Sequence, residues 1–281
     1  MKIAVLSGKG GAGKTYVSVN LAMAAMNNSH EIARYLDCDV EEPNGHLFLK
    51  PSNIKKEIVY RKLPVFDENK CDGCRKCVEF CKFNALAYVN GKVKLFDEIC
   101  HSCGGCEIVC PQNAIKEVEN ETGCLEYGQH GELEVVSGFL NLGEASGVSV
   151  ISKTLSHADN QDVNIIDCPP GSACTVMESV SDCDYALLVV EPTSFGIHNF
   201  KMVHELVNVL KIPCGVIINK STEKVDELEK YCADSGVKIL AYLPFSKKIA
   251  ETNAESNIAY EIDDETKMIF DDLFQVVKRE V

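Results

Sequence analysis

The sequence predicts an α/β fold, a mainly parallel sheet with helices on both faces, interrupted by a smaller cysteine-rich unit. Two observations predict it. Short apolar, β-branched segments alternate with longer stretches of helical character, and the first of them runs straight into a glycine-rich loop. Eight of the 15 cysteines, by contrast, crowd into two runs between residues 71 and 110, where that alternation stops. The 281 residues are 46% hydrophobic, enough to bury one large domain with a small insert. No run of about 18 apolar residues occurs, so no membrane-spanning helix is expected. The brief apolar run Met1–Leu6 is broken by Gly8 before a signal-peptide core can form, and a cytoplasmic location is expected. A formal net charge of −14 repels phosphate backbones and argues against nucleic acid as a partner. In a reducing compartment the cysteines read as metal ligands rather than disulfides.

Lys2 to Leu6 reads as a short buried strand, and it leads into Gly8-Lys9-Gly10-Gly11-Ala12-Gly13-Lys14-Thr15. This is G-x4-G-K-[ST] in its required context, because Tyr16 to Met26 is apolar enough for the following helix. The glycines let backbone N–H groups curl around phosphates, and the helix N-terminus adds its positive dipole end. Lys14 is expected to reach the β and γ phosphates, and the Thr15 hydroxyl to bind magnesium. Ile32 to Leu36 reads as a second strand, ending in Asp37-Cys38-Asp39.

The cysteine runs come next, as Cys71-x2-Cys74-x2-Cys77-x3-Cys81 and Cys100-x2-Cys103-x2-Cys106-x3-Cys110. This is the spacing of a bacterial-type two-cluster ferredoxin; three thiolates on one tight turn hold three irons of a cube, and the fourth corner needs a ligand from elsewhere. Each ligand recurs 29 residues on, and Asn84-Ala85-Leu86 reappears as Asn113-Ala114-Ile115, so two copies of one unit are present. Zinc ribbons use paired CxxC units instead. One departure from the pattern is Lys82, which stands where a proline usually follows the fourth cysteine.

Thr122 to Gly147, rich in glycine, reads as hairpins and turns that return the chain to the main domain. Asp162 to Ile166 is a further strand, followed by Asp167-Cys168-Pro169-Pro170-Gly171. Tyr185 to Val190, Gly215 to Ile218 and Lys238 to Tyr242 complete the buried strands. Near the C-terminus Met268, Ile269, Phe270, Leu273, Phe274 and Val277 form a helical stripe. Its polar face carries Asp264, Glu265, Asp271 and Asp272, which suits core packing and not an anionic lipid surface, so no stable membrane anchor is expected.

Lys9 is extra to the ordinary phosphate loop, and with it the sequence resembles the deviant Walker A family, KGGxGK[ST], of the MinD, ParA, Mrp and nitrogenase iron-protein ATPases. The cysteine block resembles a two-cluster ferredoxin domain, inserted in a P-loop NTPase of that superfamily. The resemblance implies magnesium-dependent hydrolysis of ATP to ADP and phosphate. Lys9 would act across an ATP-sandwiched homodimer, or a heterodimer with a paralogue, and Lys9, Lys14 and Asp39 would be the catalytic residues. Asp39 corresponds to the switch I aspartate near the attacking water, and Asp167, opening the Walker B and switch II stretch, would complete the magnesium site with Thr15 and Asp39. Nucleotide contacts would come from residues 8–16, which include Tyr16, with Asn219 and Lys220 at the adenine and Pro244 closing the base pocket. In the ferredoxin pattern the fourth cysteine of each run serves the other cluster. That implies one 4Fe-4S cluster on Cys71, Cys74, Cys77 and Cys110 and a second on Cys100, Cys103, Cys106 and Cys81. The division expected is an ATPase domain of residues 1–58 and 118–281 around a ferredoxin insert of residues 59–117. The insert sits between the switch I and Walker B segments, so nucleotide state is placed to reposition the clusters. The expected output is electron transfer to, or metallocluster assembly on, a partner protein. The alternative is a positioning or scaffold ATPase whose clusters sense redox state. Cys174, seven residues past Asp167, is a candidate for a further cluster with Cys124; the C-terminal CxxC of Mrp-type carriers is absent.

Overall fold

The computed structural model describes residues 1–144, 146–221 and 226–281. In chain order the first elements are β1 (Lys2–Ser7), α1 (Lys14–Asn28), β2 (Ala33–Asp37), α2 (Gly45–Leu49) and β3 (Ser52–Phe66). The cysteine-rich region follows as α3 (Lys76–Phe80), β4 (Leu86–Val89), β5 (Lys92–Leu95) and α4 (Gly105–Ile108), and β6 (Ile115–His130) and β7 (Leu133–Leu140) lead out of it. The remaining elements are α5 (Val148–Leu155), β8 (Val163–Asp167), α6 (Cys174–Val180), β9 (Tyr185–Val190), α7 (Ser194–Leu210) and β10 (Cys214–Ser221). Then come α8 (Asp226–Ser235), β11 (Lys238–Pro244), α9 (Lys247–Ala254), α10 (Ala259–Ile262) and α11 (Asp264–Glu280).

Among the described residues nine strands form one sheet in the order β11-β10-β9-β1-β8-β2-β7-β6-β3. From β11 to β7 every pairing is parallel, and β7–β6 and β6–β3 are antiparallel. The alternation of side chains along each strand feeds two cores. Ile3 and Val5 of β1 point to the face covered by α1 and α11, where Val17 and Leu21 meet Phe270, Phe274 and Val277. Ala4 and Leu6 point to the other face, covered by α5, α6, α7 and α8. The C-terminal stripe is therefore a packing face, with Phe270, Phe274 and Val277 fully buried and Met268 exposed at its edge. No helix among the described residues is long and apolar enough to cross a membrane.

β3 and β6 pair from Ser52 with Gln129 to Phe66 with Ile115, with one irregularity near the start between Ser52 and Lys55, and the cysteine-rich unit is carried at the far end of this stem. The strands run unbroken through positions 58–59 and 117–118. The register does shift between Val59, opposite Gly123, and Tyr60, opposite Glu121, which leaves Thr122 as the extra residue of a β-bulge. A bulge bends the strand and breaks the ladder locally, so the stem is jointed at its root. Beyond the joint the small core consists of Cys77, Leu86 and Ile115, packed with Phe66, Val78, Val93, Leu95 and other cysteines. So few buried residues cannot stabilise a unit of this size by hydrophobic burial alone.

Candidate functional site

Parallel strands with helices on both faces open a crevice at their C-terminal ends, and here the loop from β1 to α1 lies in it. A cavity of about 840 Å³ is lined by Gly10, Gly11, Gly13, Lys14, Thr15, Tyr16, Asp39, Lys220, Asn253 and Ser256, among others. β2 and β8 lie side by side with Asp37 opposite Asp167, so both strands deliver a carboxylate to the same end of the sheet. Lys14, only 6% exposed, places Nζ 2.5 Å from Asp167 Oδ1 and 3.3 Å from Asp39 Oδ2. The Tyr35 hydroxyl donates to Asp167 Oδ2 at 2.8 Å, and the Gly45 N–H donates to Asp37 Oδ2 at 3.0 Å.

One ammonium thus faces three carboxylates. Burial alone lowers the pKa of Lys14, yet Asp167, Asp39 and Asp37 more than offset this and hold it above the ordinary lysine value. Burial pushes the Asp37 and Asp39 carboxyls up, and the charge of Asp167 adds to the shift. A polyphosphate would be repelled by this surplus of negative charge unless a divalent cation entered with it. The Thr15 and Asp39 oxygens on the cavity wall are the hard donors such a cation takes.

Lys9 does not line this cavity. Its Nζ donates to Glu191 Oε2 at 2.5 Å and stands 5.8 Å above the Phe195 ring. The hydrogen bond from Lys9 lowers the pKa of Glu191, and Lys220, 3.9 Å away, adds to it. Gly8 packs against α7, where an added Cβ would lie 2.4 Å from the Asn199 backbone. Asn219 and Lys220 brace the phosphate loop itself: the Asn219 amide donates to the buried Ala12's carbonyl at 2.9 Å and Lys220 Nζ to the Gly11 carbonyl at 2.7 Å. Pro244 is exposed at the end of β11 and takes no part in the cavity wall. Gly13 has φ +95°, and an added Cβ would lie 2.0 Å from Asn219 Nδ2. Gly13→Ala is expected to weaken Mg-ADP binding by about tenfold or more, from the left-handed backbone cost and the displaced brace. Calorimetric titration checks this; an unchanged affinity would show that the loop does not need this brace.

Four residues of the site escape sequence reasoning. Tyr35 stands two positions before Asp37 on one strand, so the two share a face, and this period-2 signal was available. Glu191 follows the all-apolar β9 directly, a charge placed where the sheet ends. Asn253 and Ser256 reach the cavity from the far end of the chain, with no local signal.

The cysteines gather into two sets. Cys71, Cys74, Cys77 and Cys110 line one cavity of about 20 Å³, together with Arg75, Pro111 and Ile115. Cys81, Cys100, Cys103 and Cys106 line another of about 210 Å³, closed by Phe80, Phe83, Ala85 and Leu86. Each set takes three cysteines from one run and the fourth from the other. Among the described residues no three His, Cys, Asp or Glu side chains converge as they would on a single ion. Four thiols, three from one run and the fourth from the other, are the donor set that a 4Fe-4S cube takes. Burial raises the Cys77 thiol and pushes Cys106 up to about 11, a cost that a bound cationic centre would remove. Outside these sets, burial raises Cys38 and Cys168 well above the usual thiol range, as expected of small apolar core residues. Cys124 is buried in β6, whereas Cys174 is exposed at the start of α6.

Residues 3–258 match the family described as the CobQ/CobB/MinD/ParA nucleotide binding domain. The chain is 34% identical over 223 residues, 78% of each chain, to an uncharacterized protein of Methanocaldococcus jannaschii. An iron-sulfur cluster carrier protein of that organism is 26% identical over 270 residues, covering 90% of this chain and 75% of that protein. An uncharacterized ferredoxin from the same source is 40% identical over 55 residues, 18% of this chain and 71% of that protein. Among solved structures, the Pyrococcus furiosus cell division ATPase MinD has a TM-score of 0.62 at 18% identity, with 100% of this chain and 99% of that one covered. With its phosphate loop after β1, its parallel sheet and its thiol-lined insert, the chain belongs to the CobQ/CobB/MinD/ParA family of P-loop ATPases and carries an iron-sulfur domain within it.

Proposed function

We propose that this chain binds and hydrolyses ATP with magnesium, and that nucleotide state is coupled to two 4Fe-4S clusters for electron transfer to, or metallocluster assembly on, a partner protein. The observation that carries this reading is one row of the sheet. Asp167 of β8 lies opposite Asp37 of β2, Asp37 opposite Ser137 of β7, Ser137 opposite Glu126 of β6, and Glu126 opposite Lys56 of β3. Asp167 and the strands that carry the root of the insert's stem are thus joined in a single ladder, and packed sheets transmit displacement because they are dense and stiff.

Lys14 is held against Asp167, and incoming phosphate would draw its Nζ away, freeing Asp167 Oδ1. Thr15 and Asp39, with Asp167, would hold magnesium, which supplies positive charge against the phosphates. Asp39 would orient the attacking water. Lys9 must leave Glu191 before it can reach the nucleotide of a second copy, so dimer formation and release of this cis ion pair would go together. Cys71, Cys74, Cys77 and Cys110 would hold one cluster and Cys100, Cys103, Cys106 and Cys81 the other. The clusters supply one-electron storage.

The test is an anaerobic redox titration followed by electron paramagnetic resonance, without nucleotide, with Mg-ADP and with a non-hydrolysable Mg-ATP analogue. The expected result is a midpoint shift or spectral change between the two nucleotide states. Identical titrations in all three conditions would remove the coupling and leave a positioning ATPase as the reading.

A further inference from the structure

Arg61 stands on β3 just beyond the bulge, on the insert's side of the joint. Its side chain is only 9% exposed, and its guanidinium forks between two parts of the molecule. Nη2 lies 2.9 Å from Oε2 of Glu144, in the connection between β7 and α5. Nη1 donates to the Asp97 backbone carbonyl at 3.1 Å. That carbonyl also accepts from the Cys100 N–H at 3.1 Å, and Cys100 opens the second cysteine run.

On the other side, Glu144 is tied back to the nucleotide site. Its N–H donates to the Asn141 carbonyl at 3.2 Å, and the Asn141 N–H donates to the carbonyl of Thr122, the extra residue of the bulge, at 2.9 Å. The preceding Leu140 N–H donates to the Val40 carbonyl at 2.9 Å, and Val40 directly follows Asp39. There is no slack around Val40, since an added Cβ on Gly138 or Gly147 would lie 2.8 or 2.5 Å from its side chain. A continuous series of contacts therefore runs from Asp39, which touches Lys14, through Val40, Leu140, Asn141, Glu144 and Arg61 to Asp97 and Cys100.

The stem alone is a poor transmitter, because the bulge breaks its ladder where it leaves the sheet. A second attachment beyond the joint turns a hinge into a lever, and Arg61 is that attachment. Its hold is also incompletely satisfied: Nε has no hydrogen-bond partner among the described residues, and Glu144 Oε2 meets Nη2 at ion-pair distance without hydrogen-bond geometry. A second arrangement of the same groups is therefore not penalised by the loss of a saturated network.

We propose that Arg61, clasped to Glu144, is the positioning residue that carries movement of Asp39–Val40 to the Asp97–Cys100 segment. Nucleotide state is then felt by the cradle of Cys100, Cys103, Cys106 and Cys81 and much less by the other. The inference rests on the proposed function, of which it names the transmitting residue. Lysine cannot replace the arginine, because a single ammonium does not span both acceptors as a planar fork does.

The experiment uses the iron-loaded chain, its Arg61→Lys variant and a Glu144→Gln variant, whose change lies outside the insert. Two quantities are measured with and without Mg-ATP: hydrogen exchange of residues 97–106, and the rate of iron release to a chelator. In the native chain Mg-ATP is expected to change both by about fivefold, with the responsive phase amounting to about half of the iron. Both variants should hydrolyse ATP and hold iron as the native chain does, and neither measurement should then respond to nucleotide. Variants that respond like the native chain would overturn the role of Arg61 and leave the proposed function standing. Variants that both fail to hold iron would overturn it too, by showing a structural anchor only. A native chain indifferent to nucleotide would remove the proposed function and this inference together.

Discussion

Replacing Lys14 by methionine is expected to reduce ATP turnover by about 10³-fold or more, with the visible absorbance of the iron-loaded protein unchanged. Methionine keeps most of the buried stem's volume and removes only the charge that Asp167 and Asp39 now hold and that phosphate would claim. The same change has a signature in stability. Burial, then the charge of Asp167, raises the Asp37 carboxyl well above its ordinary 3.8, and Lys14, with a smaller contribution from the Gly45 N–H, lowers it. A carboxyl whose pKa is higher folded than unfolded contributes stability that is fully present below the unfolded value and is lost as pH rises through the folded one. Without Lys14 the folded value rises further, so the variant's melting temperature should go on falling with rising pH after the native protein's has levelled off. Lys14 itself, raised above 10.5, contributes stability below that value that disappears only at alkaline pH above its folded pKa. Anaerobic melting curves at several pH values check this. A variant whose stability depends on pH just as the native chain's does would mean that water, not Lys14, compensates the carboxylates. Loss of cluster absorbance in the folded variant would show instead that the two sites are not separable.

The second large effect concerns Cys81. Changing it to alanine is expected to cost the cluster on Cys100, Cys103 and Cys106, not the one on its own run, so that iron falls from about eight to about four per chain. The reason is geometric: Cys81 shares the larger cavity with that second run, while Cys110 closes the smaller cavity around Cys71, Cys74 and Cys77. The paramagnetic spectrum of the cluster left in Cys81→Ala should therefore equal that left in Cys100→Ala and differ from that left in Cys110→Ala. A match between the Cys81 and Cys71 variants would demonstrate uncrossed ligation. The small core of Cys77, Leu86 and Ile115 makes a second outcome measurable, since loss of one cluster should also loosen the insert's protease resistance.

Much of this was legible in the chain. The strand before Gly8, the helix after Thr15 and the buried strands at Tyr185, Gly215 and Lys238 announce themselves through runs of apolar, β-branched residues between turn residues. Their observed limits differ by only a few residues, because strand ends are set by hydrogen-bond partners that a linear pattern does not contain. The long stem was less visible. In β3 only Val59, Leu63 and Pro64 are buried, so most of it faces solvent and carries no clean alternation. The turn-rich stretch after Thr122 resolves into the end of β6 and all of β7, joined in a hairpin at Gly131, whose φ is +58°. In the site, the family resemblance implied Asn219 and Lys220 as adenine contacts, but their hold on the carbonyls of Ala12 and Gly11 appears only when β10 is set beside the loop.

The amino-acid order by itself determined the chemistry, because a phosphate loop and a cube-holding thiol run are local: their donors lie within a few residues and the spacing alone sets what they can grip. Tertiary structure decided which distant groups meet those donors, among them Tyr35 on Asp167, Glu191 on Lys9, and Arg61 between Asp97 and Glu144. Such pairings depend on which strands become neighbours and where a ladder is broken. Those choices are made by burial over the whole sheet, and no window of the sequence contains them.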